Sequence, residues 1–92
     1  MNNLEKIEKL NELQTAIEFK QKALQYIVNC KYLEIVLGED KHYDYKDSIC
    51  INKSNSNNFL CMIQELGTKL LNKEIEELEK QIEFIFNNKI EN

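Results

Sequence analysis

The residues best suited to chemistry lie in one polar tract near the middle of the chain, EDKHYDYKD, from Glu39 to Asp47. It holds the single histidine, His42, beside Tyr43, Asp44 and Tyr45, with Lys41 and Lys46 on either side. Two chemistries fit these residue types. His42 could serve as a general base. Alternatively, Tyr43 and Tyr45 could offer π-faces to a nucleotide base while Lys41 and Lys46 meet its phosphate. A lone histidine with no partner defines no dyad or triad, so the tract reads more simply as a solvated loop whose tyrosines lie against the rest of the fold. A zinc site would have to draw on Cys30, His42, Cys50 and Cys61. Zinc ligands usually arrive as closely spaced pairs, and these four are spread singly, so neither metal nor cofactor is expected. The acids Glu39, Asp40, Asp44 and Asp47 lack the alternating spacing and glycine of a calcium loop, and the chain has no Gly-rich phosphate loop, GxSxG or HExxH. The expectation is a protein that is not an enzyme.

Composition narrows the partners. Sixteen acids face twelve bases for a net charge of −4, and every base is lysine. Without arginine there is no bidentate fork for phosphates or guanine edges, so direct nucleic-acid binding is not expected. A second acidic group, Glu74 to Glu79, reads as a solvated helix face, or as a surface that docks on a basic groove of another protein. No apolar run approaches a membrane span, and MNNLEKIEKL is not a signal peptide. Three cysteines without a CxxC fit reduced thiols, so a cytoplasmic location is expected.

Two helical patterns must position these groups. The first, expected over 3–31, begins where Asn2 and Glu5 have the spacing of a capping box. Its main stripe is Leu4, Ile7, Leu10, Leu13, Ile17, Leu24 and Ile27, with Lys20 where the stripe would otherwise continue. A second stripe, Ala16, Phe19, Ala23, Tyr26 and Cys30, makes the later half apolar on two adjacent faces. Residues 33–52 then read as a β-hairpin: Leu33, Ile35 and Leu37 alternate, as do Ile49 and Ile51. Leu33 and Leu37 would also extend the second helical stripe; the β-branched Ile35 and Val36 favour strand.

The tract KSNSNN, with Ser56 or Asn57 as cap, opens a second helix expected over 57–88. Its first half carries Phe59, Leu60, Ile63, Leu66, Leu70 and Leu71; its second half narrows to Ile75, Leu78, Ile82 and Ile85. Gly67 marks either a close helix crossing or a bend.

The expected fold is mainly α with a small β element, a single domain over 1–92 in the order helix, strand, strand, helix. Folding back about the hairpin brings the two wide apolar halves together, with more apolar surface than two helices can cover mutually. A homodimer or higher oligomer, as a coiled-coil-like helical bundle, completes it, with Ala16, Phe19, Ala23, Tyr26, Cys30, Phe59, Ile63, Leu66 and Leu70 at the interface. The tip residues Lys41 to Lys46 are the candidate contact site for a partner or ligand.

In size, Lys/Asn/Glu-rich composition of the kind AT-rich codons supply, and element order, the chain resembles the small proteins encoded by phages and mobile elements of low-GC bacteria. The resemblance covers the whole chain and carries over no functional residue. It implies an inhibitor of host defence that binds a larger host protein, as anti-CRISPR proteins do, or a sponge for a small cyclic nucleotide. A structural coiled-coil adaptor is the third alternative.

Overall fold

The order helix, strand, strand, helix is the one found in a computed structural model, which describes residues 2–37 and 48–87. The tip tract Glu39 to Asp47, with its candidates Lys41, His42, Tyr43, Asp44, Tyr45 and Lys46, lies outside the described residues, as does the end of the expected second helix at residue 88.

Helix α1 runs from Asn3 to Asn29, two residues short of the expected end at 31. Asn2 caps it: its Oδ1 accepts from the Glu5 backbone N–H at 2.8 Å, and its Nδ2 donates to Glu5 Oε1 at 2.7 Å. The Glu5 side chain thus closes the capping box on the asparagine amide. Strands β1 (Tyr32–Val36) and β2 (Ser48–Asn52) form an antiparallel pair. Leu33 lies opposite Ile51, and Ile35 opposite Ile49. Directly opposed residues share a face, so these four make the apolar side of the hairpin. Only its inner end is covered. Ile51 is buried and Leu33 half-buried, whereas Ile35 and Ile49 remain exposed.

Helix α2 spans Lys53–Asn87 and starts with no linker after β2. Asn52 caps its short first turn, which the expected helix over 57–88 does not include; the long remainder begins past Ser56, where the expected helix starts. Asn52 Oδ1 accepts from the backbone N–H groups of Ser54 at 2.9 Å and Asn55 at 3.0 Å, while Asn55 Oδ1 accepts from the Asn52 N–H at 2.9 Å. This is a reciprocal capping box built from two asparagines. The Asn55 amide also donates to the Cys50 carbonyl at 2.9 Å, tying the first turn back to the strand. At Ser56 the backbone leaves the helical region (φ −156°, ψ 59°), so the first turn is set at a kink to the long remainder.

The two helices run antiparallel, and their seam holds the core. Leu13 and Ile17 of α1 and Leu60 and Ile75 of α2 are buried, joined by Ile51 from the hairpin. Of the two readings of Gly67, the close crossing is the one observed: a Cβ there would overlap Ile27 Cδ1. Lys20, the polar residue in the α1 stripe, reaches across the seam to Glu74 Oε1 at 3.0 Å.

Candidate functional site

The surface most available for interaction follows from how the second stripes are placed. On each helix the second stripe lies roughly 100° around from the seam-facing stripe, in the same rotational sense. Because the helices are antiparallel, equal rotations in one sense bring both stripes to the same side of the pair. Ala16, Phe19, Ala23 and Tyr26 of α1 therefore share one face with Phe59, Ile63, Leu66 and Leu70 of α2. Eight of the nine residues expected at an oligomer interface are gathered on that side; the ninth, Cys30, lies just past α1 with its thiol 3.4 Å from Gln64 Nε2 at the seam. The smaller or seam-proximal ones, Ala16, Ala23, Cys30 and Ile63, are half-buried. The large ones stand free: Phe19 is 71% exposed, Tyr26 64%, Leu66 51% and Leu70 52%.

The opposite side of the pair has a different character. By the same helical geometry it presents Gln14, Gln21 and Val28 from α1, with Glu65, Thr68, Asn72, Glu79 and Glu83 from α2. Over the hairpin half the first side is predominantly apolar; the second is mixed, its carboxylates and amides interspersed with Ile7, Val28, Cys61 and Phe86. The molecule between them is thin, with extents of 59 × 28 × 15 Å. Since a helix with its side chains is itself about 10–12 Å across, that is one layer of helices. A globular chain of this length would have a radius of gyration near 12 Å, against 18.3 Å here.

The joint between α1 and the hairpin is fixed by a side chain that periodicity alone did not single out. Gln64 of α2 donates through Nε2 to the carbonyls of Ile27 at 3.0 Å and Cys30 at 2.9 Å, with Cys30 Sγ at 3.4 Å. The end of a helix leaves carbonyls without intrahelical donors, and α1 has no basic residue in its last turn. The two N–H bonds of one glutamine from the neighbouring helix fill that role. Gln64 occupies a seam position in a helix half that is otherwise apolar, and that misplaced polarity is the signal that could have found it.

Beside this joint, Gln25, Tyr26, Asn29, Cys30, Lys31 and Tyr32 line an open groove of about 730 Å³. Lys22 Nζ lies 5.9 Å from the centre of the Tyr26 ring, within cation–π range. The groove offers two aromatic rings, two amides and Lys31, but no buried polar group aimed into it. Cys30 is half-buried, Cys50 and Cys61 are exposed, and all three are free thiols. Among the described residues no group of three His, Cys, Asp or Glu side chains is placed to hold a metal ion, and no helix is long and apolar enough to cross a membrane. Compared with known proteins, the chain matches no family model, no curated protein and no solved structure.

Proposed function

We propose that the chain is a non-enzymatic binding protein that inhibits a larger host protein by direct contact, as anti-defence proteins of phages and mobile elements do. The observation that carries this reading is the two-sidedness of a one-layer molecule. Its apolar side is suited to assembly. The carboxylates of Glu79 and Glu83, exposed on the other side, stay available after assembly and complement the basic groove of a nuclease effector. The test is phage plaquing on a low-GC bacterial host that carries such an effector, with the chain expressed from a plasmid. Restored plaquing with the natural chain, lost on the Glu79→Lys, Glu83→Lys double replacement at unchanged helix content, supports the reading. Failure of the natural chain to restore plaquing would sink it.

A second reading is favoured by the groove at Tyr26 and Tyr32: a sponge that holds a small cyclic nucleotide between aromatic rings, with lysine nearby for phosphate. Calorimetry against cyclic nucleotides separates the two. Submicromolar binding selects the sponge, and absence of heat removes it.

A further inference from the structure

We propose that the apolar side of the molecule is covered by a second copy of the chain, related by a two-fold axis parallel to the helices, so that α1 packs on the partner's α2 and both hairpins lie at one end. The inference does not depend on the acidic side, but it covers Tyr26, one wall of the groove beside the joint. Three observations carry it.

The first is area. A compact monomer of 10.9 kDa exposes about 5,600 Å², whereas this chain exposes 7785 Å². Stable protein interfaces hide about 800 Å² per partner, and obligate dimers hide more. What bears on this face is that Phe19, Tyr26, Leu66 and Leu70, its large side chains, are each at least half exposed. No side chain among the described residues is fully buried, so the single layer has little interior of its own.

The second is fit. Cross-seam pairs set the level of one helix against the other: Lys20 meets Glu74, and Ile27 meets Gly67. Seven residues up one helix are matched by seven down the other, so the register holds along the seam. Carried onto the apolar side, it sets Ala23 level with Leu70, and Cys30 level with Ile63. A two-fold axis along the helices preserves these levels between copies. The small Ala23 of α1 then receives Leu70 of the partner's α2, a knob-into-hole contact.

The third is the distribution of charge. The apolar rows occupy the hairpin half of the face, and Glu12 and Glu77 continue them toward the termini. An axis along the helices sets Ile63 and Leu70 level with Cys30 and Ala23, and brings only the outermost residues of the α1 row, Phe19 and Ala16, level with Glu74 and Glu77. An axis across the helices, centred on Ala23, would instead bring Leu66 to Glu74 and Ile63 to Glu77, which buries carboxylates against hydrocarbon.

The experiment combines mass and cross-linking. Light scattering on the full chain at micromolar concentration should give twice the chain mass. Leu70→Lys should weaken the dimer on the order of 100-fold with helix content unchanged by circular dichroism. A stable natural-sequence monomer overturns the proposal. On a background with Cys30, Cys50 and Cys61 replaced by Ser, chains carrying Ala23→Cys and chains carrying Leu70→Cys are refolded together and oxidised. A covalent mixed dimer supports the axis along the helices. Ala23→Cys chains that cross-link to themselves when alone, with no mixed product, overturn it. Should Leu70→Lys fail to fold, the cross-linking result decides.

Discussion

The two ends of the helical pair are held by different means. At the hairpin end, α1 and α2 are fastened by specific polar contacts: Gln64 on the last carbonyls of α1, the Asn52–Asn55 box, and the Asn55 amide on the Cys50 carbonyl. Gly67 lets the backbones approach there, at Ile27. At the termini the pair relies on a narrow apolar zipper of Leu78, Ile82 and Ile85 against Leu10, all half-buried, while Leu4, Ile7, Phe84 and Phe86 stand exposed. The difference teaches that the register of the pair is specified at the turn and only followed at the termini. Zipper contacts are interchangeable with others of the same period, whereas a glutamine placed on two particular carbonyls accepts one arrangement.

The comparison breaks most visibly in the core. Leu60 is 5% exposed next to the hairpin, and Leu60→Ala should cost about 2–4 kcal/mol, more than the same truncation at the half-buried Leu78. Urea unfolding followed by circular dichroism measures both, and equal losses would contradict the distinction. Next comes Gln64. Removing its amide takes the donor from the Cys30 carbonyl and leaves the Ile27 carbonyl with only the weak Cys30 thiol, which should cost about 1–3 kcal/mol for Gln64→Ala. Gln64→Glu should be worse than alanine at neutral pH, because a carboxylate would face the negative end of α1. If glutamate proves milder than alanine, the carbonyl contacts do not hold the joint.

The smallest effect sets one cap against the other. Asn52 and Asn2 perform the same chemistry at the two ends of the pair. Asn52→Ala should lose about 1–2 kcal/mol and Asn2→Ala about 0.5 kcal/mol, since the second cap sits on a turn whose apolar residues Leu4 and Ile7 are exposed. The same urea titration reads both. A larger loss at Asn2 would mean that the termini, not the turn, anchor the pair.

Much of this fold is legible in the residues. The alternation of Leu33 and Ile35 with Ile49 and Ile51 marks the hairpin because a period of two is incompatible with a helix face, and each long helix follows from its stripe of threes and fours. The long part of α2 begins past Ser56, within the cap-rich tract KSNSNN that marks it in the sequence. The short turn ahead of it was not legible, because what places its cap at Asn52 is that Asn52 also closes the β-ladder, a tertiary fact. Similarly, the first half of α2 shows six apolar residues without saying which turn inward. Leu60 and Leu71 face the seam because Gly67 and Gln64 lie on the same line, positions that a hydrophobic pattern passes over. The interaction face was legible as surplus apolar surface on both helices; that the surplus falls on one side needed the antiparallel arrangement.

Asn52 holds one further consequence, which concerns the conformations the chain rejects. It is at once the residue paired with Tyr32 at the end of the ladder and the cap of α2. A strand that slips by one residue normally keeps its hydrogen bonds while turning its side chains over, which makes such misalignments close competitors. Here a slip would expose Ile51 and, in the same step, move Ile51 or Lys53 into the place of Asn52 opposite Tyr32, separating the end of the ladder from the start of the helix. Misaligned hairpins therefore lose strand burial and helix initiation together, which widens the energy gap between the native pairing and its nearest rivals.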